Sequence, residues 1–315
     1  MAVPVEPVIV ARGLVKRYGD DPAAPPAVDG IDVEVARGEL FGFLGPNGAG
    51  KSSTMRMIAC VSPRSAGELR VLGLDPTTHG RQIRARLGVV PQEDTLDLEL
   101  SVADNLYVYG RFFDLPRRDL RARIPALLES VALGDRGDAR VEELSGGMRR
   151  RLTIARAMVS DPELVLLDEP TTGLDPQARH VLWDRLYRLK QQGKTLILTT
   201  HYMDEAEQLC DRLVVMDGGR IVAQGSPAEL IARHVRREVV ELRFGPDAPT
   251  DLGARLAGVG DGFSVEGERI RIAADDGDAA VSAVMARDLH PRQVLVRRAT
   301  LEDVFLQLTG HGLVD

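Results

Sequence analysis

The sequence predicts an α/β fold with a parallel sheet at its centre, followed by a smaller α+β domain. Leu40–Leu44 is a short apolar run that ends in a glycine-rich turn and is followed by helical spacing of apolar residues. Leu164–Leu167 and Thr195–Thr200 are uncharged and branched, which is typical of strands buried on both faces of a parallel sheet. After about Arg237 strands alternate with short helices and no glycine-rich turn recurs, which indicates a second domain.

The first elements follow from simple periodicity. Val8–Tyr18 and Ile31–Val35 alternate apolar and polar residues and are predicted as half-buried strands. Asp20–Ala27, between them, is rich in Pro, Asp and Ala, so we expect an exposed loop. Ser52–Cys60 places Met55, Met57 and Ile58 on one face of a helix that follows the glycine-rich turn.

Helices are predicted in the middle of the chain. The periodicity is helical from Ser101 to Val131, with Ser101 as the N-cap, and again over Gly146–Val159. Pro176–Gln192 is predicted as the crossover helix between the two buried strands.

A hairpin and a helix start close the first domain. Leu213–Met216 and Arg220–Ala223 flank the turn Asp217-Gly218-Gly219, and Ser226 and Glu229 form a capping-box pattern. Further on, the pattern predicts strands at Val239–Phe244, Gly262–Ala273 and Gln293–Val296, and helices near Asp251–Leu256, Asp278–Arg287 and Leu301–Thr309.

Composition excludes several classes of protein. A net charge of −7 argues against a general electrostatic hold on DNA or RNA, so we expect no nucleic-acid partner. Two isolated cysteines, Cys60 and Cys210, exclude a disulfide framework or a zinc knuckle and fit a reducing cytoplasm. The longest stretches without a charged residue, Leu40–Gly50 and Val304–Val314, are about half the roughly 20 residues of a spanning helix. Met1–Val10 has no signal-peptide pattern, so we expect a chain that neither crosses a membrane nor is secreted.

A phosphate-binding loop is the strongest motif. The segment Gly45-Pro46-Asn47-Gly48-Ala49-Gly50-Lys51-Ser52 matches the pattern at every required position, between a predicted strand and a predicted helix. Glycines let backbone N–H groups converge on phosphate oxygens at the positive end of the helix. Lys51 then reaches the β- and γ-phosphates of a nucleotide, and the Ser52 hydroxyl binds Mg²⁺.

Two adjacent carboxylates end the buried strand at 164–167. Asp168 is predicted to hold Mg²⁺, directly or through water, and Glu169 to polarise the attacking water. Taken alone, the pair could equally be solvated acids at a strand end. The phosphate-binding loop upstream favours the catalytic interpretation.

Leu144-Ser145-Gly146-Gly147-Met148 resembles the signature sequence of ATP-binding cassette (ABC) ATPases, and the family's other elements occur in the family's order. The resemblance implies a P-loop NTPase ABC cassette, with a mixed sheet core plus a helical subdomain at about 93–160. It implies a nucleotide-binding domain over 1–236 and a small α+β accessory or regulatory domain over 237–315.

The resemblance also implies roles for single residues. Tyr18 matches the aromatic residue that stacks on adenine, Gln92 the glutamine that joins the catalytic site and metal to the helical subdomain, and His201 the histidine at the γ-phosphate. With Glu169, Gln92 and His201 form the implied catalytic set, and the implied Mg²⁺ ligands are Ser52, Gln92 and Asp168. The implied ATP-binding set is Tyr18, Gly45, Pro46, Asn47, Gly48, Ala49, Gly50, Lys51, Ser52, Ser53, Ser145, Gly146, Gly147 and Asp175.

The signature predicts a dimer. Ser145 can cap a helix whose first N–H groups face a phosphate, and one nucleotide cannot easily occupy both this end and the one after Lys51. In the resembled family two cassettes pack head to tail, each signature closing over the partner's ATP, and Asp175 lies in the loop that crosses the interface. For Arg149–Arg151 two interpretations stay open, which are added positive potential and a solvated helix face.

Within the family the chain is most similar to exporter ATPases of the drug-resistance and nodulation lipo-oligosaccharide type. The similar segments are Leu96–Glu99, Leu106–Arg111, Gly173–His180 and Leu301–Gly310. This implies a peripheral ATPase on the cytoplasmic face of the membrane that works with a separate integral-membrane permease, for a drug, lipid or oligosaccharide-type cargo. The alternatives are the ATPase of an importer and a soluble ABC protein acting on ribosomes or nucleic acid.

Overall fold

The computed structural model describes residues 6–19, 21, 23–245, 249, 251–266 and 269–310. The chain divides into two compact units, Met1–Gln224 and Gly225–Asp315. The strands are β1 (Ile9–Lys16), β2 (Val28–Val35), β3 (Leu40–Leu44), β4 (Ala66–Val71), β5 (Leu87–Val90), β6 (Leu164–Asp168), β7 (Thr195–Thr200), β8 (Arg212–Asp217), β9 (Arg220–Gly225), β10 (Glu238–Arg243), β11 (Gly262–Glu266), β12 (Arg269–Ala274) and β13 (Gln293–Arg298).

The helices are α1 (Lys51–Ile58), α2 (Pro76–Arg84), α3 (Val102–Arg111), α4 (Arg117–Ser130), α5 (Gly146–Ala157), α6 (Pro176–Gln191), α7 (Met203–Leu209), α8 (Pro227–His234), α9 (Leu252–Leu256), α10 (Gly277–Met285) and α11 (Leu301–Thr309). Among the described residues no helix is both long enough and apolar enough to span a bilayer.

The first unit contains the predicted parallel sheet. Its strand order is β5-β6-β7-β3-β8-β9, and the five strands from β5 to β8 pair in parallel. Every residue of β3 and β7 is buried, as their uncharged sequences predict. Gly218 and Gly219, both with positive φ, form the turn between β8 and β9, which confirms the predicted hairpin. The carboxyl ends of β5, β6, β7 and β3 therefore lie along one edge.

A second, antiparallel sheet completes this unit, with the order β2-β1-β4. Strand β2 begins at Val28, three residues before the predicted start, and pairs with β1 over most of its length. Strand β4 and helix α2 were not predicted, because β4 is exposed at four of its six positions and so lacks a clean alternation. In the predicted loop, Asp20 and Pro22 lie outside the described residues, while Ala24 and Pro26 are partly buried.

Helices α3, α4 and α5 pack around an apolar core of their own, which includes Leu106, Leu120 and Leu152. The helical stretch predicted from Ser101 to Val131 is two helices and not one. Asp114 has a φ of 57° and Pro116 follows it, so the chain turns between α3 and α4. Ser101 caps α3 as predicted, accepting a hydrogen bond from the Asp104 N–H at 3.0 Å.

The second unit contains an antiparallel sheet of order β11-β12-β10-β13. Its apolar core includes Val240, Ile272 and Val284, from β10, β12 and α10. The segment predicted as one strand from Gly262 to Ala273 is the antiparallel pair β11 and β12. The capping box of α8, formed by Ser226 and Glu229, is confirmed.

Candidate active site

The glycine-rich turn between β3 and α1 is held tightly against its neighbours. The N–H of Gly45 donates to the Thr200 carbonyl at 3.3 Å. A Cβ on Gly45 would lie 2.2 Å from the Met216 carbonyl oxygen, and one on Gly50, where φ is 97°, would lie 2.3 Å from the Ala27 oxygen. Both positions therefore require glycine, because any side chain would collide with backbone.

Lys51 lies inside this turn. Its side chain is 4% exposed, and Nζ donates to the carbonyls of Gly45 at 2.6 Å and Pro46 at 3.0 Å. Burial lowers the pKa of the Lys51 ammonium, and the nearby Glu169 and Asp168 oppose that shift. No side chain caps α1 at Gly50, so the first N–H groups of the helix face the turn together with the ammonium. This arrangement can bind an anion.

Glu169 lies at the centre of the predicted catalytic residues. Its carboxylate is 7% exposed, and Oε1 lies 3.8 Å from Lys51 Nζ and 3.3 Å from His201 Nδ1. Its Oε2 accepts hydrogen bonds from Gln92 Nε2 and Thr172 Oγ1, each at 3.2 Å. The imidazole is within ion-pair distance but outside hydrogen-bond geometry, so within the described chain its Nδ1 has no hydrogen-bond partner. A buried carboxylate beside a phosphate-binding turn is placed to act as a base.

A threonine that the sequence did not indicate joins the two acids. Thr199 Oγ1 donates to Asp168 Oδ1 at 2.5 Å and accepts from the Glu169 N–H at 3.0 Å. The parallel register of β6 and β7, which pairs Asp168 with Thr199, places it there. Glu169 has a φ of 44°, so its side chain leaves the strand end in a different direction from that of Asp168. The two carboxylates can therefore have separate roles.

Oxygen atoms that can bind Mg²⁺ lie around the two acids, Asp168 and Glu169. Ser52 Oγ donates to Asp168 Oδ1 at 3.2 Å. Gln92 uses its amide nitrogen on Glu169, which leaves the amide oxygen as a ligand atom. Hydroxyl, carboxylate and amide oxygens are the hard ligands that Mg²⁺ takes in phosphate-binding proteins, so these residues fit the ion.

Tyr18 presents an aromatic surface beside the start of α1. Its side chain is 49% exposed, and its hydroxyl donates to Ser53 Oγ at 3.3 Å. Lys16 Nζ lies 4.7 Å from the ring centroid, so the ring is held at its hydroxyl and by a cation. A half-exposed, fixed ring can stack on a base.

The signature residues lie apart from this cluster. Ser145 caps α5, accepting from the Met148 N–H at 3.3 Å, and both Ser145 and Gly146 are exposed. Asp175 caps α6, accepting from the Ala178 N–H at 2.8 Å. In the described residues no hydrogen bond or ion pair joins Ser145 or Asp175 to the phosphate-binding turn. Within one chain the structure thus brings together the loop, the acids, Gln92 and His201, and leaves a second exposed helix N-terminus.

The interpretation of the arginine triplet as a solvated helix face is wrong for Arg150. The residue is buried, and its guanidinium donates to main-chain carbonyls just beyond β5 and at the end of β6. The sequence offered no signal for this, because three consecutive arginines on a helix do not reveal which one faces inward.

Comparisons with known proteins agree with this geometry. A family model described as ABC transporter matches residues 28–172. The chain is 46% identical to Nod factor export ATP-binding protein I of Ralstonia nicotianae, covering 98% of this chain and 96% of that protein. It is 48% identical to the protein of the same name from Paraburkholderia xenovorans, covering 95% and 96%. CbiO1 of Clostridium perfringens, described as part of the ABC transporter complex CbiONQ, superposes with a TM-score of 0.67 at 29% identity, covering 72% of this chain and 92% of that one.

Proposed function

This chain belongs to the family of ABC transporter ATPases, and from that membership we propose that it powers export through a separate integral-membrane permease by hydrolysing ATP in a head-to-tail homodimer. The chain is an ATP-binding and ATP-hydrolysing exporter subunit. Full-length similarity to proteins named for Nod factor export favours the exporter over the importer and over a soluble protein acting on ribosomes or nucleic acid. We propose an oligosaccharide-type cargo, with drugs and lipids as the alternatives.

The proposed chemistry rests on one observation. Glu169 is buried and contacts Lys51, Gln92 and His201. Lys51 binds the β- and γ-phosphates of ATP. Glu169 accepts a proton from the water whose oxygen attacks the γ-phosphorus, while the bond to the β-γ bridging oxygen breaks and ADP leaves. The imidazole of His201 lies beside Glu169 without a hydrogen bond to it, and in this proposal it donates to the γ-phosphate.

The remaining site residues complete nucleotide binding. Ser52, Gln92 and Asp168 present the oxygens that would hold Mg²⁺, whose charge offsets that of the phosphates when it is bound. Tyr18 stacks on the adenine. Residues 45–50, with Ser53, surround the phosphates.

The dimer follows from the second helix N-terminus. Ser145, Gly146 and Gly147 at the start of α5 bind the ATP held by the partner, and Asp175 lies at the same interface. This accounts for a phosphate-binding helix end that is exposed and separate from the chain's own phosphate-binding turn.

The permease is proposed to bind beside the catalytic site. A cavity of about 920 Å³ lies between α1, α2 and the end of α3, and Ser52, Gln92 and Asp168 are among its lining residues. Phe112 on its rim is 78% exposed and Val61 is 67% exposed. An apolar rim of this kind is typical of a protein interaction site. Binding there would place the chain at the cytoplasmic face of the membrane, as a peripheral subunit.

Residues 237–315 are proposed as an accessory or regulatory domain, because every residue assigned to ATP lies between Tyr18 and His201. Residues 1–236, with a helical subdomain at about 93–160, are proposed as the nucleotide-binding domain.

The proposal is tested by phosphate release and ATP binding with the purified chain. Glu169→Gln should reduce turnover by roughly 10²–10⁴-fold and keep ATP binding, because it removes the base and little volume. Lys51→Ala should lose ATP affinity instead. Glu68→Gln, on an exposed position of β4, is the matched control and should change neither. Near-normal turnover by Glu169→Gln would contradict the proposed role.

A further inference from the structure

Arg150 makes an unusual set of hydrogen bonds. It lies on α5 and is 9% exposed. Its Nε donates to the Pro170 carbonyl at 2.7 Å, and its Nη2 donates to the carbonyls of Asp168 at 3.0 Å and Glu169 at 3.1 Å. One guanidinium therefore binds the backbone of both catalytic carboxylate residues and of the residue that follows them.

The same side chain reaches a second segment. Its Nη1 donates to the carbonyl of Pro91 at 2.5 Å and to that of Gln92 at 3.4 Å. Pro91 and Gln92 follow β5, which pairs in parallel with β6 as far as Val90 and Leu167. Beyond these residues the ladder ends, and Arg150 supplies the donors that neighbouring strands no longer supply.

The Arg150 guanidinium thus holds the main chains of both Gln92 and Glu169, whose side chains meet at the site. Gln92 Nε2 donates to Glu169 Oε2 at 3.2 Å, and Arg150 binds the main-chain carbonyl of each. Glu169 has a left-handed φ of 44°, which is strained for a residue with a side chain. Its N–H is held by Thr199 and its carbonyl by Arg150, so the conformation is fixed from both sides.

We propose that Arg150 is a positioning residue for ATP hydrolysis, which holds the main chains of Glu169 and Gln92 so that their side chains meet at the attacking water. This rests on the function proposed above. Because Ser145 caps the same helix, Arg150 also ties the helix that contacts the partner's ATP to the chain's own catalytic carboxylate.

An arginine is required for this role because its planar group carries five donors in a fixed fork. A lysine at position 150 keeps the charge, but all its N–H donors are on one nitrogen atom. It therefore cannot donate to the main-chain carbonyls of 91–92 and of 168–170 at the same time. Methionine keeps much of the length and removes every donor.

The test uses the full chain and compares wild type with Arg150→Met and Arg150→Lys. We expect the kcat of Arg150→Met to fall about 10- to 100-fold, while ATP affinity and KM stay within about threefold, because misplacing a reacting group by about 1 Å costs a rate of that order. Arg150→Lys should lie between Arg150→Met and wild type.

Arg151→Met is the matched control. Arg151 also donates to two main-chain carbonyls, those of Val131 at 2.9 Å and Ala132 at 3.0 Å, but these end α4. The Arg151→Met variant should have a lower melting temperature than wild type and an unchanged kcat. The inference is overturned if folded Arg150→Met keeps the wild-type kcat, or if its kcat changes only as that of Arg151→Met does. Should Arg150→Met not fold, Arg150→Lys decides, and a wild-type kcat in that variant also overturns the inference. A wild-type chain without ATPase activity would instead refute the proposed function.

Discussion

Replacing Glu205 by glutamine should change how the stability of the chain depends on pH. Glu205 lies on α7 and is fully buried, and within the described residues neither carboxylate oxygen has a hydrogen-bond partner. Burial raises the pKa of Glu205 from 4.5 to about 7. Thr171, Thr200 and Trp183 lie near enough to oppose the shift, but none meets hydrogen-bond geometry with the carboxylate.

The raised pKa of Glu205 determines how its contribution to the free energy of unfolding changes with pH. Below about pH 4.5 the side chain is neutral in the folded and unfolded states, and its contribution to stability is fully present. As pH rises towards 7 only the unfolded chain ionises, so the free energy of unfolding falls until the folded carboxyl ionises as well. The difference of 2.5 pKa units, taken from 4.5 and about 7, corresponds to about 3 kcal/mol.

The assay is the melting temperature of wild type and Glu205→Gln between pH 5 and 8.5. About 2.5 kcal/mol of this difference is lost between pH 5 and 8.5, so wild type should lose roughly 5–10 °C relative to the variant, at about 2–4 °C per kcal/mol for a unit of this size. Asp184→Asn, on an exposed position of α6, is the control and should leave the pH dependence unchanged. If the difference between wild type and Glu205→Gln is the same at every pH, the carboxyl does not titrate in this range and the reasoning is wrong.

Two further predictions concern the composite site and the second unit. Mixing Ser145→Arg chains with Lys51→Ala chains should restore ATP-dependent dimerisation that neither variant shows alone, because each heterodimer then has one intact site. No gain in the mixture over the single variants, measured by size-exclusion chromatography with ATP, would contradict the head-to-tail arrangement. A chain ending at Gly225, the last residue of β9, should still bind ATP in the cold, since the residues assigned to ATP lie between Tyr18 and His201. A truncated chain that is folded by circular dichroism but does not bind nucleotide would place part of the site in the second unit.

The sequence by itself determined the elements whose signals are local. The phosphate-binding turn could be located because its glycines are needed at fixed spacing, where Gly45 and Gly50 have no room for a side chain. Strands β6 and β7 could be predicted because burial on both faces excludes charge from a short segment. The family resemblance then assigned Tyr18, Gln92 and His201 to the same site as the phosphate-binding turn.

Only the tertiary structure decided which distant groups hold the catalytic residues. Thr199 bonds to Asp168 across 31 residues of sequence, and Arg150 bonds to Glu169 across 19. These contacts depend on the register of parallel strands and on the side of α5 that faces the sheet, and neither leaves a pattern in nearby residues. Hydrogen bonding at strand ends is satisfied by whichever donor the packing brings there, so it is settled only when the whole unit is folded.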